Sequence, residues 1–332
     1  MQNTSEDVAE SPKPWQASLE AIGKRALARA PQPDHSPRAR PAADRTADPA
    51  PQALSVREEA QAEEAEDARH AGQVGYAARI TVQATLPHAD PKTHVFQRTN
   101  GQLLTLTLMT PPDVGLPYGS MPRVVLAWMT TEAVRTRNRE LHLGHSLQEF
   151  LDKLGLNRGG GPRGDITRLR NQMTRLLSCA INVRYSDPTR DGLRNALIAE
   201  EADLWWDPRR PHERVLWGST IVLYEKFFNE VVTHPVPVDL AVLRQLRRSP
   251  LALDVYSWLT WRMSFLRKRT AIPWEHLEDQ FGANYGRSVD FRKAFRKALA
   301  EVLRHYSPGV ESLPGGISLR PSAPSIARTR LR

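Results

Sequence analysis

The sequence predicts an α+β protein in which two small helical units, each closed by a β-hairpin, follow a disordered N-terminal tail. Three observations carry this expectation. The first 75 residues differ in composition and charge from the remainder. Two later stretches repeat one order of elements. In each, the helix after the turn is amphipathic with Arg and Lys on its outer face.

Residues 1–75 read as tail. Pro12, Pro14, Pro31, Pro33, Pro37, Pro41, Pro49 and Pro51 interrupt them, and large apolar residues are few. Such a stretch cannot bury enough surface to offset its ordering entropy. Ser55–Arg69 is rich in helix formers but has no apolar stripe, so it reads as a transient helix at most, serving as a spacer or as a docking segment. The tail holds 9 Lys/Arg against 13 Asp/Glu, whereas residues 76–332 hold 37 against 24. The chain's net charge of +9 therefore understates the folded part, which carries +13. A basic body attracts polyanions, and nucleic acid is the natural partner to test.

Cys179 is the only cysteine. That excludes an internal disulfide framework and a multi-cysteine zinc site, and it suits a reducing interior. No run approaches the ~18–20 apolar residues of a spanning helix, and the opening residues lack the pattern of a signal peptide. The expectation is a cytoplasmic protein without membrane contact.

The first unit is expected over residues 76–236. Tyr76–Leu86 and Leu103–Met109 alternate like strands. Arg123–Arg135 reads as a helix with a broad apolar surface, and Glu140–Gly144 as a short strand. Ser146-Leu-Gln-Glu149 has the form of a capping box, opening a helix that ends at Gly155. A glycine-rich turn, Arg158–Gly164, follows, with Asp165 at the expected N-cap. The next helix, Ile166–Ile181, buries Ile166, Leu169, Met173 and Leu176, and its other face carries Arg168, Asn171, Gln172 and Arg175. Two strands, Ile181–Ser186 and Asn195–Trp206, are joined by a turn near Pro188 and Gly192.

The order recurs over residues 237–322, after a junction placed near 234–240 by Pro235 and Pro237. Leu251–Leu266 is the first helix. Pro273–Phe281 is the second, with Pro at its first helical position. Gly282–Ser288 is the turn and Val289–Tyr306 a long amphipathic helix, with Phe291, Phe295, Ala298 and Val302 inward. Val310–Arg320 reads as a hairpin around Pro314-Gly315-Gly316. Residues 323–332 form a basic tail. Helix, short strand, helix, turn, basic helix and hairpin is the order of a winged helix-turn-helix, here present twice.

In that arrangement the start of the second helix of the helix-turn-helix enters the major groove and reaches base edges. The expected DNA-contacting set in the C-terminal unit is Asn284, Tyr285, Arg287, Ser288, Asp290, Arg292 and Lys293, with Arg296 and Lys297 one turn on, facing phosphates. The parallel set in the N-terminal unit is Arg163, Arg168, Asn171 and Arg175. The turn Gly159–Gly164 lacks the Lys-Ser/Thr of a P-loop, so a nucleotide site is not expected. His142 and His145 have no third ligand nearby, no Ser/His/Asp or paired-carboxylate arrangement stands out, and neither a cofactor nor catalysis is expected.

Two stretches resemble the plasmid-encoded RepA-type replication initiators. One joins Trp128–Arg135, Leu147–Gly155 and Asp165–Met173. The other joins Leu253–Arg262, Ile272–Leu277, Gln280–Gly282 and Phe291–Phe295. The resemblance spans about residues 76–320 and leaves out the tail. It implies a protein that binds repeated double-stranded sites (iterons) at a plasmid origin, helps melt an adjacent segment, and brings in host DnaA and the replicative helicase or its loader. It also implies that the C-terminal unit makes the main iteron contacts, that the N-terminal unit serves backbone contact and homodimer formation, and that the protein represses its own promoter. Three other readings stand beside it: a transcriptional repressor of the same fold, a rolling-circle nicking enzyme, and a structural chromatin binder.

Overall fold

A computed structural model describes residues 72–100, 104–157, 161, 164–187, 190–206, 218–282 and 285–326. Helices and strands are interspersed along the described residues, so the chain is of mixed α+β type. The expected tail lies outside the described residues except for 72–75, as do residues 327–332 of the basic tail.

The described chain starts with β1 (Val74–Ala78), two residues before the expected strand, and turns at once into α1 (Arg79–Gln83). The alternation over Tyr76–Leu86 predicts one strand; a single helical turn interrupts it instead. That turn sends Ile80 toward one hydrophobic core and Val82 into another, which a continuous strand with both on one face would not do. β2 (Val95–Thr99) and β3 (Leu104–Met109) form a hairpin.

α2 (Ser120–Thr136) is buried on nearly every side, consistent with its broad apolar surface. β4 (Glu140–His142) leads to α3 (Leu147–Lys153). The capping box forms: Ser146 Oγ accepts from the Glu149 N–H at 3.1 Å. Glu149 reaches back one residue further than expected, accepting from the His145 N–H at 2.8 Å. α4 (Asp165–Leu177) is capped by Gly164 rather than Asp165. Asp165 is its first residue and accepts from the Asn157 N–H at 3.0 Å.

β5 (Ala180–Asp187) and β6 (Arg190–Leu197) make the hairpin expected after α4. Gly192 is not in its turn; it lies within β6 opposite Tyr185. β7 (Ala199–Asp203) continues the second strand, and β8 (Thr220–Leu223) follows. The hairpin does not close on β4. It joins β3 to give the order β2-β3-β5-β6, while β8 inserts between β4 and β7. Leu141, Phe150, Leu169, Met173, Ile181 and Ile221 are among the buried residues of the first core.

α5 (Glu225–Thr233) precedes β9 (Pro235–Asp239) and α6 (Leu240–Leu246). The two prolines that suggest a junction sit instead in β9, which pairs with β1. Among the described residues β9 has no other strand neighbour, so the missing proline N–H groups disrupt no second ladder there. Val236 and Val238 point into the second core.

α7 (Pro250–Met263) begins the C-terminal half, with Ser249 Oγ accepting from the Ala252 N–H at 3.2 Å. β10 (Thr270–Pro273), α8 (Trp274–Phe281) and α9 (Ser288–Val302) follow, then β11 (Val310–Leu313) and β12 (Gly316–Leu319). Pro273 is the cap of α8 rather than its first residue. β12 lies between β10 and β11, so this hairpin closes on the strand of its own half. The approach of β12 to β10 requires Gly316: a Cβ there would lie 2.0 Å from the Ile272 carbonyl oxygen.

Buried polar contacts join the halves. Arg123 on α2 grips Asp254 on α7 with two bonds of 2.6 Å, and His88 Nε2 reaches the same carboxylate at 2.8 Å. Burial alone would raise the Asp254 carboxyl, but Arg123 and His88 hold it below the usual carboxylate range. Gln280, at the end of α8, donates to the carbonyls of Val82 and Gln83. Residues 321–326 then cross back over the core. Tyr306 donates to the Ala323 carbonyl at 2.8 Å, the Tyr256 hydroxyl meets Ser325 at 2.8 Å, and Ile326 packs beside Val74, Tyr76 and Val134. Part of the expected basic tail is therefore packed chain.

Candidate nucleic-acid interface

α9 rests on aromatic support. Phe295 lies 5.7–5.8 Å from the rings of Trp274, Phe281 and Phe291, and Phe281 packs edge-on to Trp258 at 5.6 Å. Phe291, Phe295, Ala298, Leu299 and Val302 fill the inner side. A helix so anchored presents its outer side in a fixed orientation.

The front of α9 is organised before any ligand arrives. Arg287 is its N-cap residue and holds Asp290 through two bonds, 2.8 and 3.0 Å. Asp290 in the first turn also suits the positive end of the helix dipole. Ser288 donates to Glu278 at 2.9 Å, tying α9 to α8 across the turn. Tyr285 stands edge-on to Phe291 at 5.6 Å, and burial pushes its hydroxyl pKa up. Asn284 lies outside the described residues. Of the expected base-reading set, Arg287, Ser288 and Asp290 are thus already engaged with protein partners.

The outer side separates the remaining cations. Val289, Lys293 and Arg296 fall at i, i+4 and i+7, the crest of the helix opposite the core. Lys293, Arg296 and Lys297 are exposed and make no ion pair among the described residues. Arg296 leans over the Trp274 ring, its guanidinium 4.8 Å from the centroid. Arg292 sits on the flank, half-buried, and its enclosed Nε has no acceptor among the described residues.

The hairpin and the loop before β10 add charge. Arg269 and Arg320 both reach Glu311, at 3.3 and 3.2 Å. Arg267 and Lys268 are exposed beside them. These two escape the expected set although the run Arg267-Lys268-Arg269 was open to reading as a phosphate-facing loop. The turn Pro314–Gly315 is fixed to α8: the Trp274 indole N–H donates to the Pro314 carbonyl at 3.0 Å, and its backbone N–H to that of Gly315 at 3.1 Å.

The N-terminal set is placed differently. Arg163 lies outside the described residues. Arg168 is exposed and faces Asp165 of its own helix at 3.5 Å. Asn171 is exposed and accepts from Gln172 at 3.3 Å. Arg175 turns inward. It donates to the Leu116 carbonyl at 3.1 Å, lies 3.6 Å from Asp90 and stacks 5.3 Å from the Tyr118 ring. Its guanidinium fastens α4 to the loop before α2. Arg170, not in the expected set, is exposed beside Asn171.

Cys179 is buried, and burial pushes its thiol up to about 12, so it is held as the inert thiol. Among the described residues no three His, Cys, Asp or Glu side chains gather as a metal group, and no helix is long and apolar enough to cross a membrane.

Residues 116–276 match the family described as plasmid encoded RepA protein (RepA_C). No curated protein matches the chain. Among solved structures, a selenomethionine crystal structure of domains 2 and 3 of RctB aligns with 14% identity over 70% of this chain and 94% of that one, with a TM-score of 0.44. A second RctB domain 2–3 structure aligns with 15% identity over 72% and 94%, with a TM-score of 0.43.

Proposed function

Starting from a chain of the plasmid RepA type, we propose that this protein initiates replication by binding repeated duplex sites at a plasmid origin. The observation that carries the reading is α9: an aromatic-backed helix whose crest and flank hold Lys293, Arg296 and Lys297 without ion pairs among the described residues. A helix of this kind fits the major groove, and the unpaired cations suit phosphates on either side. The C-terminal half is read as a winged helix, with α8 and α9 as the helix-turn-helix and β11–β12 as the wing. The N-terminal half is read as its modified counterpart, with α3 and α4 in the corresponding places. Melting of the origin, recruitment of host DnaA and the helicase or its loader, homodimer formation and repression of its own promoter belong to the same proposal. The protein acts by binding, with no bond made or broken on it.

Selection of bound fragments from random duplex DNA tests this with the full-length protein. The expected result is one enriched motif spanning about two successive major-groove faces, ~20 base pairs. Lack of enrichment for any sequence at modest ionic strength overturns the reading. Maintenance of a plasmid whose origin carries the recovered motif, with and without the gene supplied, then separates an initiator from a repressor.

A further inference from the structure

Val289 is the most exposed large apolar side chain among the described residues, at 70%. It stands in the first turn of α9, on the crest with Lys293 and Arg296, where a β-branched residue gains nothing in helix propensity. No apolar neighbour on the crest covers it: Lys293 is exposed, and Arg296 leans away over the Trp274 ring.

The surroundings are shaped for close approach. Gly286 has open space around it, and Ser288 is small and turned back to Glu278. Arg287, a long side chain at the tip, is folded onto Asp290. The leading end of α9 therefore offers a short apolar side chain at its outermost point, with cations behind it. In the major groove the only apolar group presented by a base edge is the thymine 5-methyl.

Resting on the DNA-binding reading above, we propose that Val289 is a specificity-determining residue that packs on a thymine 5-methyl group at one fixed position of each bound repeat. Lys293 and Arg296, next along the crest, hold the flanking phosphates and set the depth of insertion. Sequence preference at that position then arises from one methyl–methyl contact, independent of any hydrogen bond.

The test replaces each thymine of the selected site in turn by deoxyuridine, which removes the methyl and leaves base pairing intact. At one position per repeat the wild-type protein is expected to lose about fourfold in affinity, the worth of one buried methyl. Val289→Ala is expected to bind the thymine site about fourfold more weakly and to show no further loss with deoxyuridine. Val289→Thr, which keeps one methyl and the β-branch, controls for any disturbance of the helix start and is expected to retain part of the thymine preference. Lys293→Ala is expected to weaken both sites alike. If wild-type protein binds the duplex but tolerates deoxyuridine at every position, the assignment of Val289 is wrong while the DNA reading stands. Equal deoxyuridine penalties in wild type and Val289→Ala overturn it too. If no duplex is bound at all, both fall.

Discussion

The two halves share an order of elements and differ in what they do with it. In the C-terminal half, β12 pairs with β10, and the hairpin belongs to its own helices. In the N-terminal half, β8 takes that place beside β4, and the hairpin is absorbed into a sheet with β2 and β3. The exposed helices follow suit. Among the described residues the crest cations of α9 make no ion pair, whereas α4 turns Arg175 inward and sets Arg168 against its own Asp165. α4 still leaves Arg170 exposed, so the halves differ in how many cations they hold back rather than in kind. Equal element order thus does not imply equal exposure of charge; the partners of each cation decide.

The largest test of this contrast strikes the seam. Asp254→Ala strands Arg123 and is expected to lower stability by about 3–5 kcal/mol, as for other broken buried pairs. Urea unfolding should show it, and two separate transitions in the variant would mean that this carboxylate alone couples the two halves. Arg175→Ala comes next. Losing a charged hydrogen bond to the Leu116 carbonyl should cost about 1.5–3 kcal/mol of stability. The slope of DNA affinity against salt should stay put. A shallower salt slope instead would place Arg175 among the exposed cations after all.

His88 gives the seam a pH dependence. Burial pushes its imidazole pKa below 6.5, against the pull of Asp254. The unfolded chain takes up a proton near pH 6.5 while the folded protein resists, so stability falls as pH drops below that value. Urea midpoints at pH 7.5 and 5.5 should differ in that direction, and less so in His88→Gln.

Lys293→Ala and Lys297→Ala should leave stability unchanged and lower the salt slope by ~0.9 each, weakening all sequences alike. Arg168→Ala should be the mildest, within about 0.5 kcal/mol in stability, with a salt slope close to wild type. A full unit of slope lost at Arg168 would erase the distinction between the halves.

The C-terminal half was legible because its determinants are local. The Pro314-Gly315 turn, the aromatic spacing of α9 and the short α8 all follow from neighbours in sequence. The N-terminal half was harder to read because its partners are distant. Nothing near Glu140 announces that Val222 will pair with it, and nothing near Arg175 points to Asp90 or Leu116. Pro235 and Pro237 looked like breakers because a two-stranded ladder with one free edge is invisible in composition. At the site, charge drew attention to Arg292, which the helix turns to its flank, and away from Val289, whose exposure only the fold reveals.

The crossing of residues 321–326 has one more consequence. With Ile326 resting on Val74 and Tyr76, the described polypeptide begins and ends at the same place. In a chain cut to residues 72–326, a short peptide joining those two points, with the chain reopened at a surface loop, would yield a circular permutant of the same body.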